Sequence, residues 1–464
     1  MIRVFNQYIS VKSVLLMGLE SVLIVMSFLA GAKLHFWHEP AGFLLYTRTP
    51  GFLLQIFTVL MVLETCCYYN DLYDLNSIRP PGNQFVRLAQ ALGTGCLLLS
   101  LLSFIVSQRA VDAVLFIALG LTAMTMSATR LGLDFVWNLV KRERKVLILG
   151  GGEMASSIVH ELEERTDLNF RIIGFVTPQR SDFSEWLGYP VLGCNGELYS
   201  IAREQHVARI IVALDDFRGG LPTRELVRLK VQGIEVDDAP SALAALTGRI
   251  WLRAARPSWF VFSNGFQHSD SATFVKRIID LAFGLLGAIL SLPAMFLIAL
   301  AIRLDSKGPV LYRQQRVGMG GSVFNLIKFR SMQFDAEAEY GAQWAQENDP
   351  RLTRVGRFLR KHRLDELPQF FNVIRGEMSF VGPRPERPVF VEQLREKILF
   401  YDERHSVRPG VTGWAQVQYR YGASIEDAFR KLEYDLFYLK NRSILFDLAI
   451  VFRTIGVVVF GRGR

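Results

Sequence analysis

Long apolar runs dominate the first third of the chain: Val14 to Ala30, Gly51 to Leu63 with an extension to Tyr69, Leu88 to Val106, and Val111 to Ala128. Each approaches the roughly 20 residues that an α-helix needs to cross a hydrocarbon core about 30 Å thick, so four transmembrane helices are predicted over residues 1–140. Ala30-Gly31-Ala32 has the small-residue pattern of a signal-peptide cleavage site. The run ahead of it is long and three more follow, so it reads as a retained membrane helix. With the N-terminus in the cytoplasm, the inner flanks carry nine basic residues (Arg3, Lys12, Arg79, Arg87, Arg130, Lys141, Arg142, Arg144, Lys145) and the outer loops three (Lys33, Arg48, Arg109). Positive charge collects inside, which places everything after Arg130 in the cytoplasm.

The pattern then changes to short apolar runs alternating with polar helical stretches. KVLILGGGEMASSIVHEL runs from a strand into Gly150-Gly151-Gly152 and a helix beginning near Ala155, as a Rossmann-like first βα unit does. RIIGFV at 171–176, RIIVALDD at 209–216 and GIEVDD at 233–238 supply further strands, so residues 141–248 are predicted to form one α/β module. The second strand ends in Thr177-Pro178 where a ribose-binding acid would be wanted, which favours a regulatory or structural module over a cofactor site. A linker is expected over 249–272.

A fifth apolar run, Leu281 to Ile302, spans 22 residues, about 33 Å as a helix. Both of its ends are basic, with Lys276 and Arg277 before it and Arg303 and Lys307 after it, and Pro293 sits near its middle. Two cytoplasmic ends and a helix breaker predict a re-entrant helix over about 275–304 that bends and returns on the same side. From Gly308 onward the sequence turns polar and basic, with charged helices and Pro/Gly loops. Within this stretch ILFDLAIVFRTIGVVVF at 444–460 carries Asp447 and Arg453 and reads as an interfacial helix.

Composition agrees with a membrane protein: 464 residues, 50% hydrophobic, net charge +9, mean hydropathy +0.22 and pI near 9.4. The basic balance suits an anionic membrane surface and anionic substrates, or nucleic acid. Cys66, Cys67, Cys96 and Cys194 show neither metal spacing nor a disulfide framework, which suits a reducing compartment.

Candidate chemistry concentrates in RLDELPQFFNVIRGEMSFVGPRPE, residues 363–386. Adjacent carboxylates Asp365 and Glu366 follow Arg351 to Arg363, a stretch with six Lys/Arg and no acid. The arginines recur every three residues and drift 60° per step on an α-helix, so they cannot form one straight stripe. With Gly356 as an interruption, two short basic amphipathic pieces are expected, Leu352, Val355, Phe358 and Leu359 facing membrane or core. Most of these arginines need be no more than a solvated face. Arg360, five residues before Asp365, is the one a helix turn could bring near the carboxylates. Paired carboxylates can hold Mg²⁺ together with substrate phosphates, arginines grip phosphate oxygens, and an Asp can form an acyl phosphate. A domain carried on a membrane helix favours a lipid phosphate over nucleic acid. Two other classes remain open on the residues alone. One is a non-catalytic membrane scaffold or sensor. The other is an NAD-dependent nucleotide-sugar epimerase, for which the only Tyr-x-x-x-Lys spacing is Tyr8 to Lys12, upstream of the glycines.

KFRSM at 328–332, NDPRLTRVGRFLRKHRLDELPQFFNVIRGEMSFVGPRPE at 348–386 and RPGVTGWAQV at 408–417 resemble the polyprenyl-phosphate glycosyl-1-phosphate transferases, the bacterial sugar transferases that initiate surface glycan assembly. The resemblance covers about residues 273–464 and implies a mainly α, monotopic catalytic domain there. The N-terminal helices and Rossmann-like module are similar to the large multidomain branch, and DERHSVRPGVTGWAQV with YGASIEDA looks closest to its exopolysaccharide-exporting members. The resemblance implies transfer of a sugar 1-phosphate from a UDP-sugar to undecaprenyl phosphate at the cytoplasmic face of the bacterial inner membrane, releasing UMP. It implies Asp365 as nucleophile, Glu366 supporting it and Mg²⁺, and Lys328, Arg330, Arg360 and Arg384 as phosphate-binding residues, with Asp435 a further acid of the site. Leu292 separates Ser291 from Pro293 where many relatives have Ser directly before Pro. A two-fold homodimer is the default assembly.

Overall fold

The computed structural model describes residues 2–4, 7–9, 11–49, 51–73, 82–106, 111–140, 143–165, 168–179, 183–214, 220–253, 257–263, 265–266, 269–333, 349–419, 422 and 424–459. Contacts divide the chain into two compact units, Met1–Ala242 and Leu243–Arg464. Asp215 and Asp216 of the third predicted strand, and parts of the NDPRL and YGASI motifs, lie outside the described residues.

The first unit opens with a hairpin, β1 (Ile2–Val4) and β2 (Gln7–Ile9), followed by helices α1 (Val11–His35), α2 (Pro40–Thr47), α3 (Phe52–Tyr69), α4 (Gly82–Val106) and α5 (Val111–Val140). All but α2 are long and apolar enough to cross a membrane. Apolar side chains point both inward and outward: Ile24, Phe28, Leu63 and Met126 are buried, while Leu53, Leu54, Leu97 and Phe116 are exposed. That is the pattern of helices solvated by lipid rather than water. Among the described residues an ion pair lies inside the bundle. Arg130 on α5 meets Glu20 on α1 at 2.7 Å and donates to the Leu72 carbonyl just beyond α3 at 3.2 Å. It ties the early part of α1, the exit of α3 and the late part of α5 to one level.

After the helices come β3 (Arg144–Leu149), α6 (Glu153–Glu164), β4 (Phe170–Thr177), β5 (Glu185–Trp186), β6 (Tyr189–Cys194), α7 (Leu198–Glu204), β7 (Arg209–Val212), α8 (Thr223–Val231), β8 (Glu235–Asp238) and α9 (Ala239–Thr247). The sheet order is β5-β6-β4-β3-β7-β8. Its pairings are parallel except β5 with β6. Gly150 closes β3 at φ 122, and a Cβ there would lie 2.3 Å from the Ala213 carbonyl oxygen. Strand packing as well as any ligand therefore requires the first glycine of the loop.

The second unit contains α10 (Pro257–Phe262), α11 (Asp270–Asp305), the hairpin β9 (Leu311–Val317) and β10 (Val323–Phe329), α12 (Arg354–Lys361), α13 (Gln369–Arg375), β11 (Ser379–Val381), α14 (Pro388–Lys397), β12 (Gly410–Thr412), α15 (Trp414–Gln418), α16 (Ile425–Asn441) and α17 (Ile444–Val459). The expected linker is not loose along its length. Ile250 and Leu252 donate backbone N–H groups to Glu433 of α16, and Arg249 pairs with the same carboxylate at 3.0 Å.

The fifth apolar helix, α11, runs 36 residues with Pro293 inside it. Near its start Arg277 donates to the carbonyls of Val373 and Ile374, at the end of α13. At its far end Arg330 donates to the Ser306 and Lys307 carbonyls, and Asp305 accepts from the Val355 N–H. Between these ties Leu285, Leu286, Ile289, Leu290, Phe296 and Leu297 are exposed. Ser291 donates to the Gly287 carbonyl at 2.6 Å, a back-bond of the kind that bends helices beside a proline. Helix α17 is amphipathic and docked. Phe446 and Ile450 are buried while Leu445 and Leu448 stay exposed, and Asp447 pairs with Lys276 at 2.6 Å.

The basic stretch holds one helix, α12 (Arg354–Lys361), not two, with Arg351 ahead of it and Arg363 beyond it. Gly356 lies within α12, its N–H accepted by the Thr353 cap, because a Cβ there would fall 1.9 Å from the Ser331 carbonyl oxygen. The glycine permits close approach and does not interrupt the helix.

Candidate active site

Three elements bring the charged groups together. β10 presents Lys328, a 3-10 turn Leu364–Glu366 presents the two carboxylates, and the loop after β11 presents Arg384. The chain enters the 3-10 turn through Arg363 in the left-handed region (φ 54), a conformation costing about 1–2 kcal/mol for a side chain with Cβ. This reversal ends α12 and turns the DELP segment back onto β10. Asn372 fixes the other side, accepting from Ile327 N–H and donating to the Asn325 carbonyl.

The two carboxylates have different partners. Glu366 receives both terminal nitrogens of Arg384, at 2.7 and 3.4 Å, with the Lys328 ammonium 3.9 Å away. Asp365 is buried, 7% exposed, and among the described residues no hydrogen bond or ion pair reaches its carboxylate. The titrations diverge accordingly. Burial raises the Asp365 carboxyl and Glu366 adds to the rise, while Lys328, Arg360 and Arg384 oppose it. Burial acts on Glu366 in the same direction, but Arg384 and Lys328 outweigh it and hold that group below the usual carboxylate range. Burial also lowers the Lys328 ammonium, to about 8, with Arg384 and Arg316 contributing and Glu366 opposing.

The other predicted residues divide. Arg360 is anchored through Nε to the Ser331 hydroxyl at 3.0 Å, and its charge acts on Asp365. Asp435 stands one layer behind: it accepts from Arg404 at 2.8 Å, and Arg404 in turn donates to the Arg384 carbonyl at 2.8 Å. Arg330 does not join the cluster, since its terminal nitrogens are bound to residues 306 and 307. Arg354 and Arg357 are exposed, and Arg351 is paired with Asp349 at 2.6 Å.

Sequence reasoning missed Arg404 and Arg316. Arg316 donates to the Pro385 carbonyl at 2.9 Å and to Glu386 at 3.3 Å, a second tie on the GPRPE loop beside that of Arg404. Neither residue stands in a pattern that announces a partner some 70 or 30 positions away. Among the described residues no three of His, Cys, Asp and Glu converge to hold a metal. The adjacent Asp365 and Glu366 are a donor set of the kind Mg²⁺ takes, one or two carboxylates completed by phosphates and water.

Known proteins place this arrangement. The family model described as bacterial sugar transferase matches residues 271–461, and one described as a CoA-binding domain matches residues 69–216. The chain belongs to the bacterial sugar transferase family. It is 42% identical over 249 residues to a UDP-N-acetylgalactosamine-undecaprenyl-phosphate N-acetylgalactosaminephosphotransferase of Aeromonas hydrophila, covering 54% of this chain and 58% of that protein. It is 35% identical over 325 residues to an undecaprenyl-phosphate glucose phosphotransferase of Komagataeibacter xylinus, covering 69% and 60%. With a UDP-galactose-lipid carrier transferase of Erwinia amylovora the identity is 31% over 359 residues, covering 72% and 73%. The match thus spans less than two thirds of the Aeromonas and Komagataeibacter proteins.

Proposed function

We propose that the chain transfers a sugar 1-phosphate from a UDP-sugar to undecaprenyl phosphate through a covalent intermediate on Asp365. The observation that carries this reading is the division of labour in the carboxylate pair: Arg384 and Lys328 engage Glu366, while Asp365, buried beside those cations, is left to act. An oxygen of Asp365 attacks the β-phosphorus of the donor, forming a carboxyl–phosphorus bond as the bond from that phosphorus to the bridging oxygen breaks, and UMP leaves. An oxygen of the lipid phosphate then attacks the same phosphorus. The carboxyl–phosphorus bond breaks, the carboxylate is restored, and a lipid-linked diphosphate sugar departs.

Two steps suit two anionic substrates, because donor diphosphate and lipid phosphate never have to share a poorly hydrated site. Lys328, Arg360 and Arg384 would balance the charge of each in turn. Mg²⁺, held by Asp365 and Glu366, would supply charge neutralisation of the phosphate oxygens. Asp435, acting through Arg404, sets the position of the Arg384 backbone and does not itself contact substrate.

The re-entrant course of α11 belongs to the same proposal. Arg277 near its start and Asp305 at its end both bond to this unit, while the midsection around Pro293 offers exposed leucine, isoleucine and phenylalanine. That supports a helix that dips into one leaflet and returns, holding the carboxylates at the headgroup level of the cytoplasmic face. The donor sugar is best found by screening UDP-sugars for undecaprenyl phosphate-dependent UMP release. No release with any of them would point instead to a non-catalytic scaffold.

A further inference from the structure

The second unit holds a cavity of about 490 Å³ that the transfer reaction does not use. Its walls come from α10, the start of α11, β11, the segment 400–408 and the end of α16. Asp365, Glu366, Lys328 and Arg384 are not among its lining residues. The volume falls within the roughly 300–1,000 Å³ of small-molecule sites, which pair apolar walls with a few convergent polar groups.

Both components are present. Phe260, Phe266, Phe400 and Leu439 form an apolar wall, and Arg408, Arg442 and Lys276 bring positive charge. Lys276 is already engaged with Asp447 and the Val381 carbonyl, and Asp280 with Ser379. The Arg408 Nε donates to the Gly376 carbonyl at 3.0 Å, which fixes the guanidinium plane, and its two terminal nitrogens have no partner among the described residues. Arg442 reaches the Thr273 hydroxyl at 3.2 Å. The carboxylates on the wall are Glu403 and Asp280. Three cations, Lys276, Arg408 and Arg442, stand against these two carboxylates among the lining residues, so the lining is net positive by one, and the Arg408 guanidinium is a bidentate donor for phosphate oxygens.

The surroundings indicate what carries that phosphate. Next to the wall residues in sequence, Val261, Phe262, Phe274 and Leu399 are 76%, 83%, 67% and 69% exposed. They adjoin the wall residues Phe260, Thr273 and Phe400 along the chain and put exposed apolar side chains on three segments of the cavity wall, one of them the helix read as entering the membrane. A free phosphate would satisfy Arg408 but leave the phenylalanines against water, whereas a phospholipid covers them with its glycerol and first acyl carbons.

We propose that this cavity binds the phosphate of an anionic membrane phospholipid, apart from the site of sugar-phosphate transfer. The proposal rests on the membrane reading of α11 and not on the chemistry assigned to Asp365. The test is native mass spectrometry of the full-length protein released from membranes containing equal phosphatidylglycerol and phosphatidylcholine. Wild type is expected to retain phosphatidylglycerol preferentially, by roughly fivefold, the worth of about one basic residue at an anionic surface. Arg408→Gln is expected to abolish the preference, Arg408→Lys to keep part of it, and Phe266→Ser, which removes apolar wall and no charge, to reduce total retention. Asp365→Asn is expected to retain lipid as wild type does even when it transfers no sugar phosphate, which separates this proposal from the catalytic one. Thermal stabilisation in detergent should follow added phosphatidylglycerol and not inorganic phosphate. Equal retention of both lipids by wild type, an undiminished preference in Arg408→Gln, or equal stabilisation by inorganic phosphate would overturn it.

Discussion

Arg384 grips Glu366 with both terminal nitrogens, at 2.7 and 3.4 Å, and the neighbouring Asp365 carboxylate has no hydrogen-bond partner among the described residues. Adjacent carboxylates in one buried turn would repel if both were ionised and equally unpartnered. Committing one of them to a guanidinium resolves the conflict and gives the two residues different chemistry.

Arg384→Lys is expected to lose the two-pronged contact while keeping the charge. Hydrogen bonds to charged groups are worth about 1.5–3 kcal/mol, so kcat/KM for the donor should fall roughly 10- to 150-fold with little change in thermal stability. Steady-state UMP release measures the first and a melting curve the second; unchanged kcat/KM would show that the fork on Glu366 is dispensable.

Gly356→Ala places a methyl 1.9 Å from the Ser331 carbonyl oxygen. The obstacle is backbone, which no rotamer change can move aside. The variant is expected to lose about 1–3 kcal/mol of stability or more and to weaken activity by displacing the Ser331–Arg360 contact. Thermal unfolding and turnover measured together check it.

Asp435 supplies a pH signature. Burial raises its carboxyl to about 6 even though Arg404 opposes the rise. Between the unfolded value near 3.9 and 6 the folded state therefore binds the extra proton, so stability is highest at the acid end and declines as pH rises through that window, by roughly 3 kcal/mol from this group. Melting curves from pH 4 to 7 should show a shallower decline for Asp435→Asn than for wild type; identical slopes would remove Asp435 as the cause.

The course of α11 can be read with single cysteines. In a background with Cys66, Cys67, Cys96 and Cys194 replaced, Ser271→Cys and Lys307→Cys are both expected to react with an impermeant reagent in inside-out vesicles and neither in right-side-out vesicles. Labelling from opposite sides would make the helix a straight span.

Much of this was readable in the chain because it is written locally. The long apolar helices follow from run length, and four apolar runs correspond to α1, α3, α4 and α5 within a few residues at most of their ends. The DELP and GPRPE motifs lie 18 residues apart, counted from Glu366 to Arg384, and meet as a salt bridge. Side-chain direction was less legible. Lys328 and Arg330 have the same strand parity, yet β10 ends at Phe329 and Arg330 turns toward the end of α11. Arg404 sits in a 3-10 segment, Tyr401–Ser406, where no periodicity reveals a face, and its partner Asp435 lies on a distant helix. The β5–β6 pairing escaped notice because YPVLGC lacks the alternation of a half-buried strand.

The proposed reaction requires a covalent bond to Asp365. Protein incubated with UDP-sugar labelled with ³²P in the β-phosphate, without undecaprenyl phosphate, is expected to acquire label on the protein and to pass it to the lipid when that is added. Asp365→Asn should acquire none and form no lipid-linked product. Undiminished lipid product from that variant would contradict the central claim.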